Sequence, residues 1–342
     1  MKAALIGFGA IARNGHLPWY SRHHKVKLAA VVEPTPQGRA LAQALVPNVP
    51  VFSTLDALLL SSLSLTFVDI TAQPAAHGDL ILKAIAAGIN VICEKPFVTN
   101  LETMRRIELM RRSDGPIIAA CHNWYFAPVI RRALELVATG KIGEPQRILF
   151  AARRSQPAMG ADYWKPAWRQ SKSEGGGILA DLGYHGFYLA SRVFKSPPIF
   201  VQVNPTHKVN NGWEAERAAH VVLDYGGRKQ AELTLSWLST VRETVLQIYG
   251  SSGILNIEGE TLTLRTIGEN DIQEQLESLT ADSWHSAWIG ATLDSFVEAI
   301  ERGERDASWQ DIQWSVSALH AAHDSMKSGV AVATAMLATS FV

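Results

Sequence analysis

What this chain lacks narrows its function before any motif is read. Cysteine is nearly absent. Only Cys93 and Cys121 occur, too few for a disulfide scaffold or a Cys-rich zinc site, as suits a reducing cytoplasm. Net charge is absent as well. Thirty-two Lys and Arg cancel 32 Asp and Glu, which removes the global positive field of a nucleic-acid binder. Long apolar runs are missing: the greasiest stretch, residues 57–70, carries Ser61, Ser62, Ser64 and Asp69 and is no membrane span. Lys2 and the apolar run 3–12 have the outline of a secretory leader, but Gly7 and Gly9 interrupt it and no polar mature sequence follows. No HExxH, P-loop, G-x-S-x-G or CxxC signature occurs, and no bound metal is expected. The expectation is a cytoplasmic protein with no membrane or nucleic-acid partner.

What is present is ample core material. Apolar residues make up 47% of 342 and charged ones 19%, enough for about two domains. Over the first 123 residues, short apolar runs (3–6, 28–32, 67–70, 91–93 and 117–121) alternate with helical patterns at 37–45, 78–87 and, capped by Asn100, 100–113. Uninterrupted runs of this length are strands buried on both faces of a parallel sheet. The repeated β-α units predict a doubly wound α/β domain over 1–123.

The rhythm then changes. Helices are expected over 127–139, 178–194, 284–302 and 308–328, and strands over 146–153, 218–223, 231–237 and 244–249, with Gly226-Gly227 as a two-residue hairpin turn. Polar and apolar residues alternate in these strands, as in an antiparallel sheet with one open face. Residues 124–342 therefore read as an α+β domain, its last helices able to pack back on the first domain.

Gly7-Phe8-Gly9-Ala10-Ile11-Ala12 matches G-x-G-x-x-A between a strand and a helix. Its glycines permit a tight turn and close approach of a pyrophosphate to the helix N-terminus. Glu33 ends the second strand, 21 positions beyond Ala12, where the fold places an acceptor for the adenosine ribose hydroxyls. A carboxylate there repels a 2′-phosphate, which favours NAD(H) over NADP(H), with Arg13 and Arg39 as counterweights.

Two further constellations carry chemistry. A strand runs into Cys93-Glu94-Lys95-Pro96, which aims Lys95 at the crevice beyond the strand ends. The glycines 175–177 precede Asp181 and His185, four apart and so on one face of a helix, with Tyr188 and Arg192 continuing its polar side. Each taken singly also reads as a surface residue.

Together with His16-Leu17-Pro18, Pro74, His77, Asn123, Pro128 and Trp168-Arg169, these motifs make the chain resemble, over essentially its whole length, the glucose–fructose oxidoreductase, inositol dehydrogenase and rhizopine-catabolism (Gfo/Idh/MocA) family. The resemblance implies a Rossmann domain followed by a large, open, mostly antiparallel sheet that builds homodimers or homotetramers. It implies pyridine-nucleotide chemistry on sugars, amino sugars, glycosides or cyclitols, with Lys95, Asp181 and His185 as the catalytic group. Thr71, Gln73, His77, Glu94, Lys95 and Asn123 join the glycine-rich turn and Glu33 as cofactor contacts. Tyr125, Trp164, Trp168 and Arg169 join the catalytic group as substrate contacts.

His185 is expected as the proton-transfer residue, Lys95 as the alkoxide stabiliser, and Asp181 as the group orienting the imidazole or the neighbouring hydroxyl. Cations and aromatics within 153–172, Arg154 among them, suit a polyhydroxylated ligand and open the way to an anionic one. Tyr188 stands where many relatives carry Asp, and Asn123-Trp124-Tyr125 lacks their basic residue. His285 is within reach of the pocket but is expected against the sheet, and His320 and His323 at the surface. Two alternatives stay open: an enzyme that retains NAD and uses transient oxidation to cleave or epimerise a glycoside, and a non-catalytic NAD-binding sensor.

Overall fold

The computed structural model describes residues 1–158, 168–205, 213–305 and 308–335. The first apolar runs form β1 (Lys2–Ile6), β2 (Lys27–Val32), β3 (Val51–Phe52), β4 (Phe67–Ile70), β5 (Asn90–Cys93) and β6 (Ile118–Ala120). All pair in parallel, in the order β3-β2-β1-β4-β5-β6. All four residues of β4 are buried, as a sheet covered on both sides requires. The intervening helices are α1 (Leu17–Tyr20), α2 (Pro36–Leu45), α3 (Leu55–Leu59), α4 (Pro74–Ala86) and α5 (Leu101–Met110). Asn100 caps α5, its side chain accepting the Thr103 N–H at 2.8 Å. That helix stops three residues earlier than its sequence pattern predicts, because Arg111 is extended. Strand order reverses between β1 and β4, and a crevice opens beyond their carboxyl ends.

The second half comprises α6 (Pro128–Ala138), β7 (Pro145–Arg153), α7 (Tyr184–Phe194), β8 (Phe200–Pro205), β9 (Ala218–Asp224), β10 (Gln230–Ser236) and β11 (Glu243–Gly250). It continues with β12 (Gly253–Glu258), β13 (Thr261–Thr266), β14 (Ile272–Gln275), α8 (Ser286–Arg302), α9 (Trp309–Ser328) and β15 (Val332–Ala333). Its nine strands run β14-β13-β12-β11-β7-β10-β9-β8-β15. Only the β7–β10 pair is parallel. One face of the sheet, with Phe150, Leu233 and Leu246, packs beneath helices; the other leaves Leu149, Val245 and Tyr249 half-buried.

Three local expectations are corrected. The β9–β10 turn is longer than Gly226-Gly227: Tyr225 donates to the Lys229 carbonyl and Lys229 to that of Gly226, closing a wider loop. The segment expected as one helix from 178 opens with a π-helical turn, Leu179–Gly183, before α7. β3, β8 and β12–β15 were not anticipated; β3 has two residues and β14 reads Ile-Gln-Glu-Gln, too short or too polar for a periodicity signal.

The last two helices bind the halves together. On α8, Ile289, Leu293 and Phe296 enter a cluster with Leu5, Phe8 and Phe67. On α9, Trp309, Ile312 and Val316 pack with the core of β4 and β5, whereas Ala318, Leu319 and Ala322 pack with that of the large sheet. Among the described residues, no helix is long and apolar enough to cross a membrane.

Candidate active site

A cleft of about 850 Å³ lies between the two halves. At one end, Gly7 through Ile11 line it together with Glu33, Thr71 and Gln73. Gly7 has φ +95°, and a Cβ there would stand 2.8 Å from the Ala72 backbone; only glycine lets the turn pass so close. Glu33 is buried and doubly anchored. Its Oε2 accepts the Phe8 N–H at 2.9 Å, and its Oε1 accepts from the Thr35 N–H at 2.9 Å and hydroxyl at 2.6 Å. Gln73, which also lines the cleft, holds its Oε1 as a buried acceptor with no partner among the described residues. An open cradle and an orphaned acceptor fit a dinucleotide.

Two expected cofactor contacts stand elsewhere. Ala12 is fully buried in the core. His77 does not line the cleft; its ring nitrogens reach the carbonyls of Pro96 (2.9 Å) and Ala72 (3.0 Å), tying two strand-end loops together.

At the other end, Lys95 from the nucleotide half meets Asp181 and His185 from the sheet half, and all three line the same cleft. Lys95 Nζ donates to Asp181 Oδ1 and to the Asp181 carbonyl, each at 3.0 Å. Arg169 Nε lies 2.9 Å from the other carboxylate oxygen. Burial opposes charge on Asp181, but Arg169 and Lys95 overcome it and hold the carboxyl far below its usual range. Asp181 lies in the π turn Leu179–Gly183 and His185 in α7, and among the described residues no hydrogen bond or ion pair joins the two. Tyr188 holds the imidazole instead, its hydroxyl 2.7 Å from Nδ1, and the indole of Trp124 stacks on the ring at 4.2 Å. Tyr188 is fully buried, not part of a polar outer face. Burial first, then the Lys95 charge, pushes the His185 pKa well below its usual value.

Gly177 makes the approach to this turn possible. With φ +112°, its Cβ position lies 2.1 Å from Glu216 Oε1, the oxygen that accepts the Leu179 N–H. Of the expected substrate contacts, Trp168 and Arg169 line the cleft and Trp164 lies outside the described residues. Tyr125 points away, donating to the Tyr188 carbonyl, because the 3₁₀ turn Asn123–Phe126 presents Asn123 and Trp124 to the cleft instead.

Sequence reasoning missed several groups. His285 lines the cleft, the less favoured of its two expected places, and so do Arg242 and Trp237; these last two stand at opposite ends of the loop between β10 and β11 and belong to no motif. His16 was noted only as part of a motif. It is fully buried, with Nδ1 2.9 Å from Asp69 Oδ2 and Nε2 3.1 Å from Glu94 Oε1. Two carboxylate acceptors call for two ring protons. Burial lowers its pKa, but Asp69 and then Glu94 more than reverse this and hold it well above the usual value. Glu94 in turn accepts the Lys95 backbone N–H at 3.0 Å, so the imidazolium braces the strand end that carries Lys95. His320 pairs with Asp324 at 3.1 Å on α9.

Comparison with known proteins gives the family. Residues 1–121 match the oxidoreductase family with the NAD-binding Rossmann fold, and residues 130–256 match the GFO/IDH/MocA C-terminal domain. The chain belongs to the GFO/IDH/MocA family of oxidoreductases. Among family members, 1,5-anhydro-D-fructose reductase of Ensifer adhaerens is 27% identical over 70% of this chain and 71% of its own. Inositol 2-dehydrogenase of Rhizobium meliloti is 23% identical over 89% of each. An oxidoreductase from Agrobacterium radiobacter, solved with NAD+, L-tartaric acid and magnesium, superposes with a TM-score of 0.84 over 98% of each chain at 20% identity. The fold shared with that structure therefore extends over the chain as a whole.

Proposed function

We propose that this protein is an NAD(H)-dependent oxidoreductase acting on a secondary alcohol or ketone of a sugar, amino sugar, glycoside or cyclitol. One observation carries the reading: Lys95 and His185, from opposite halves, meet in the cleft that the glycine-rich turn opens. Gly7–Ile11, Glu33, Gln73 and Asn123 would hold the dinucleotide, which supplies hydride exchange when bound. The buried Glu33 carboxylate disfavours a 2′-phosphate, so NAD is preferred over NADP.

His185 moves the proton. The residue lines the cleft, Nε2 is the nitrogen left for substrate, and Nδ1 meets the Tyr188 hydroxyl. That hydroxyl also accepts the Trp124 N–H at 3.3 Å, and it can donate to Nδ1 or accept from it. A carboxylate in its place would only accept. Tyr188 therefore supports both ring tautomers: one offers Nε2–H to a carbonyl oxygen, the other leaves Nε2 free to take the alcohol proton. The depressed pKa keeps His185 neutral at pH 7, the state that oxidation requires. The Lys95 ammonium stabilises the developing alkoxide, and Asp181 with Arg169 fixes that ammonium in place.

The test is a panel of sugars and polyols with NAD+ and NADP+, followed by nicotinamide absorbance. Stoichiometric reduction with NAD+ is expected, and His185→Ala lowers turnover by roughly 10²- to 10⁴-fold. Turnover near wild type in that variant refutes the assignment; product formed without net absorbance change points instead to a retained cofactor. We also propose that the half-buried face bearing Leu149, Val245 and Tyr249 joins copies of the chain into dimers or tetramers, which sedimentation velocity will read directly.

A further inference from the structure

Of the four cations described at the substrate end, two share one carboxylate and two have none. Lys95 and Arg169 share Asp181. Arg154 is 7% exposed, yet its guanidinium donates only to neutral acceptors: the carbonyls of Arg153 and Glu243 and the Thr244 hydroxyl at 2.9 Å. Arg242 likewise reaches the Asp282 carbonyl (3.0 Å) and the Ser283 hydroxyl (3.2 Å). Among the described residues, no carboxylate pairs with either.

The nearest acids are engaged elsewhere. Glu243 pairs with Arg153, and Asp282 Oδ1 accepts the backbone N–H groups of Trp284 and His285. A buried guanidinium without a counter-ion is a costly arrangement. Three of its five N–H groups are spent on fixing its position, and the others remain for a ligand.

His285 supplies a second, independent sign. Its ring is 8% exposed and lines the cleft, and Nδ1 is buried without a partner. The residue adopts a left-handed backbone (φ +51°) at the start of α8, and its ring lies flat on Trp288 at 3.9 Å. Non-glycine residues take that conformation rarely, and where they do the surroundings enforce it. The cations Arg242, Arg154 and Lys95 lie close enough to lower its pKa after burial, to about 4. The Asp282 carboxylate opposes this shift without reversing it, and His285 is a neutral polar group with three cations nearby.

We propose that Arg154, Arg242 and His285 form a subsite for an anionic substituent, so that the substrate is a sugar or polyol bearing a carboxylate or phosphate rather than a neutral one. This deepens the oxidoreductase reading and rests on it. The anion completes the charge balance that Asp181 leaves unfinished. It anchors the substrate at the sheet end while Lys95 and His185 address the hydroxyl to be oxidised.

Calorimetric titration of the NAD+-saturated protein with D-glucuronate, D-glucose 6-phosphate and methyl β-D-glucoside separates the cases. At low salt, at least one acid should bind about tenfold more tightly than the glucoside, as charge-assisted hydrogen bonds predict. The two acids distinguish carboxylate from phosphate. That margin should fall about tenfold in Arg242→Gln, an exposed site whose replacement leaves the core intact, and also in Arg154→Lys, which keeps the charge but loses the planar fork.

Equal binding of all three probes, or binding of neither acid, overturns the subsite. So does loss of NAD+ affinity in these variants, which would assign the arginines to the cofactor. Charge-selective binding without absorbance change for any probe removes the redox reading and leaves the subsite standing. Absorbance change with the glucoside, bound as tightly as the acids, does the reverse.

Discussion

At the scale of single residues, the site depends on who holds each charged group. Tyr188 meets His185 with a hydroxyl at 2.7 Å, while burial and the Lys95 charge set the acidity of the imidazole. Burial and the Lys95 charge outweigh the opposing Asp181 carboxylate and keep the imidazole depressed, so the acidic limb of kcat/KM for oxidation should lie below pH 6.5 or so, the ordinary histidine value. Tyr188→Asp puts a carboxylate beside Nδ1, favours the imidazolium, and should move that limb up by about one pH unit or more. Tyr188→Phe leaves the ring without its partner and should cost about tenfold in kcat, with KM little changed. A pH profile identical in all three proteins would show that Tyr188 does not govern the base.

His16 obeys the opposite sign. Its folded pKa is raised, so its contribution to stability is complete below about pH 6.5 and is lost as pH climbs through the folded value. Urea titrations across that interval should show unfolding free energy declining in the wild type and losing this slope in His16→Gln. Removing the ring altogether strands two buried carboxylates, and His16→Ala should cost about 3 to 5 kcal/mol.

At the scale of elements, the π turn Leu179–Gly183 carries Asp181, which pairs with Lys95 and Arg169. Gly177 sets the entry to that turn against Glu216, whose carboxyl burial pushes up to about 7. Gly177→Ala combines a disfavoured φ with a clash at 2.1 Å and should destabilise the protein by roughly 2 to 5 kcal/mol. Thermal melts will read the loss, and turnover should fall with it. The motif 175–177 was legible, and its service to backbone packing beside Glu216 was not, because Glu216 lies 39 positions on in the chain.

At the scale of the molecule, α9 belongs to two cores at once, with Trp309 in one and Leu319 in the other. Each of Trp309→Ala and Leu319→Ala should therefore lower a single cooperative transition by about 2 to 5 kcal/mol. Two separate transitions in either variant would show the halves folding independently. The cleft depends on this coupling, since its walls come from both sides.

The chain's own order of residues determined the repeated β-α units, the glycine-rich turn, the acid at the end of β2 and the Lys95, Asp181 and His185 triplet. Each of these is local, written in periodicity or short spacing. Tertiary structure alone decided that Asp181 serves Lys95 and Arg169, that Tyr188 serves His185, that His77 and Tyr125 turn away, and that Arg154, Arg242 and His285 share one wall. Those facts depend on which loops meet when two sheets are clamped by α8 and α9. Contacts between residues tens of positions apart leave no period in a sequence; only packing brings them together.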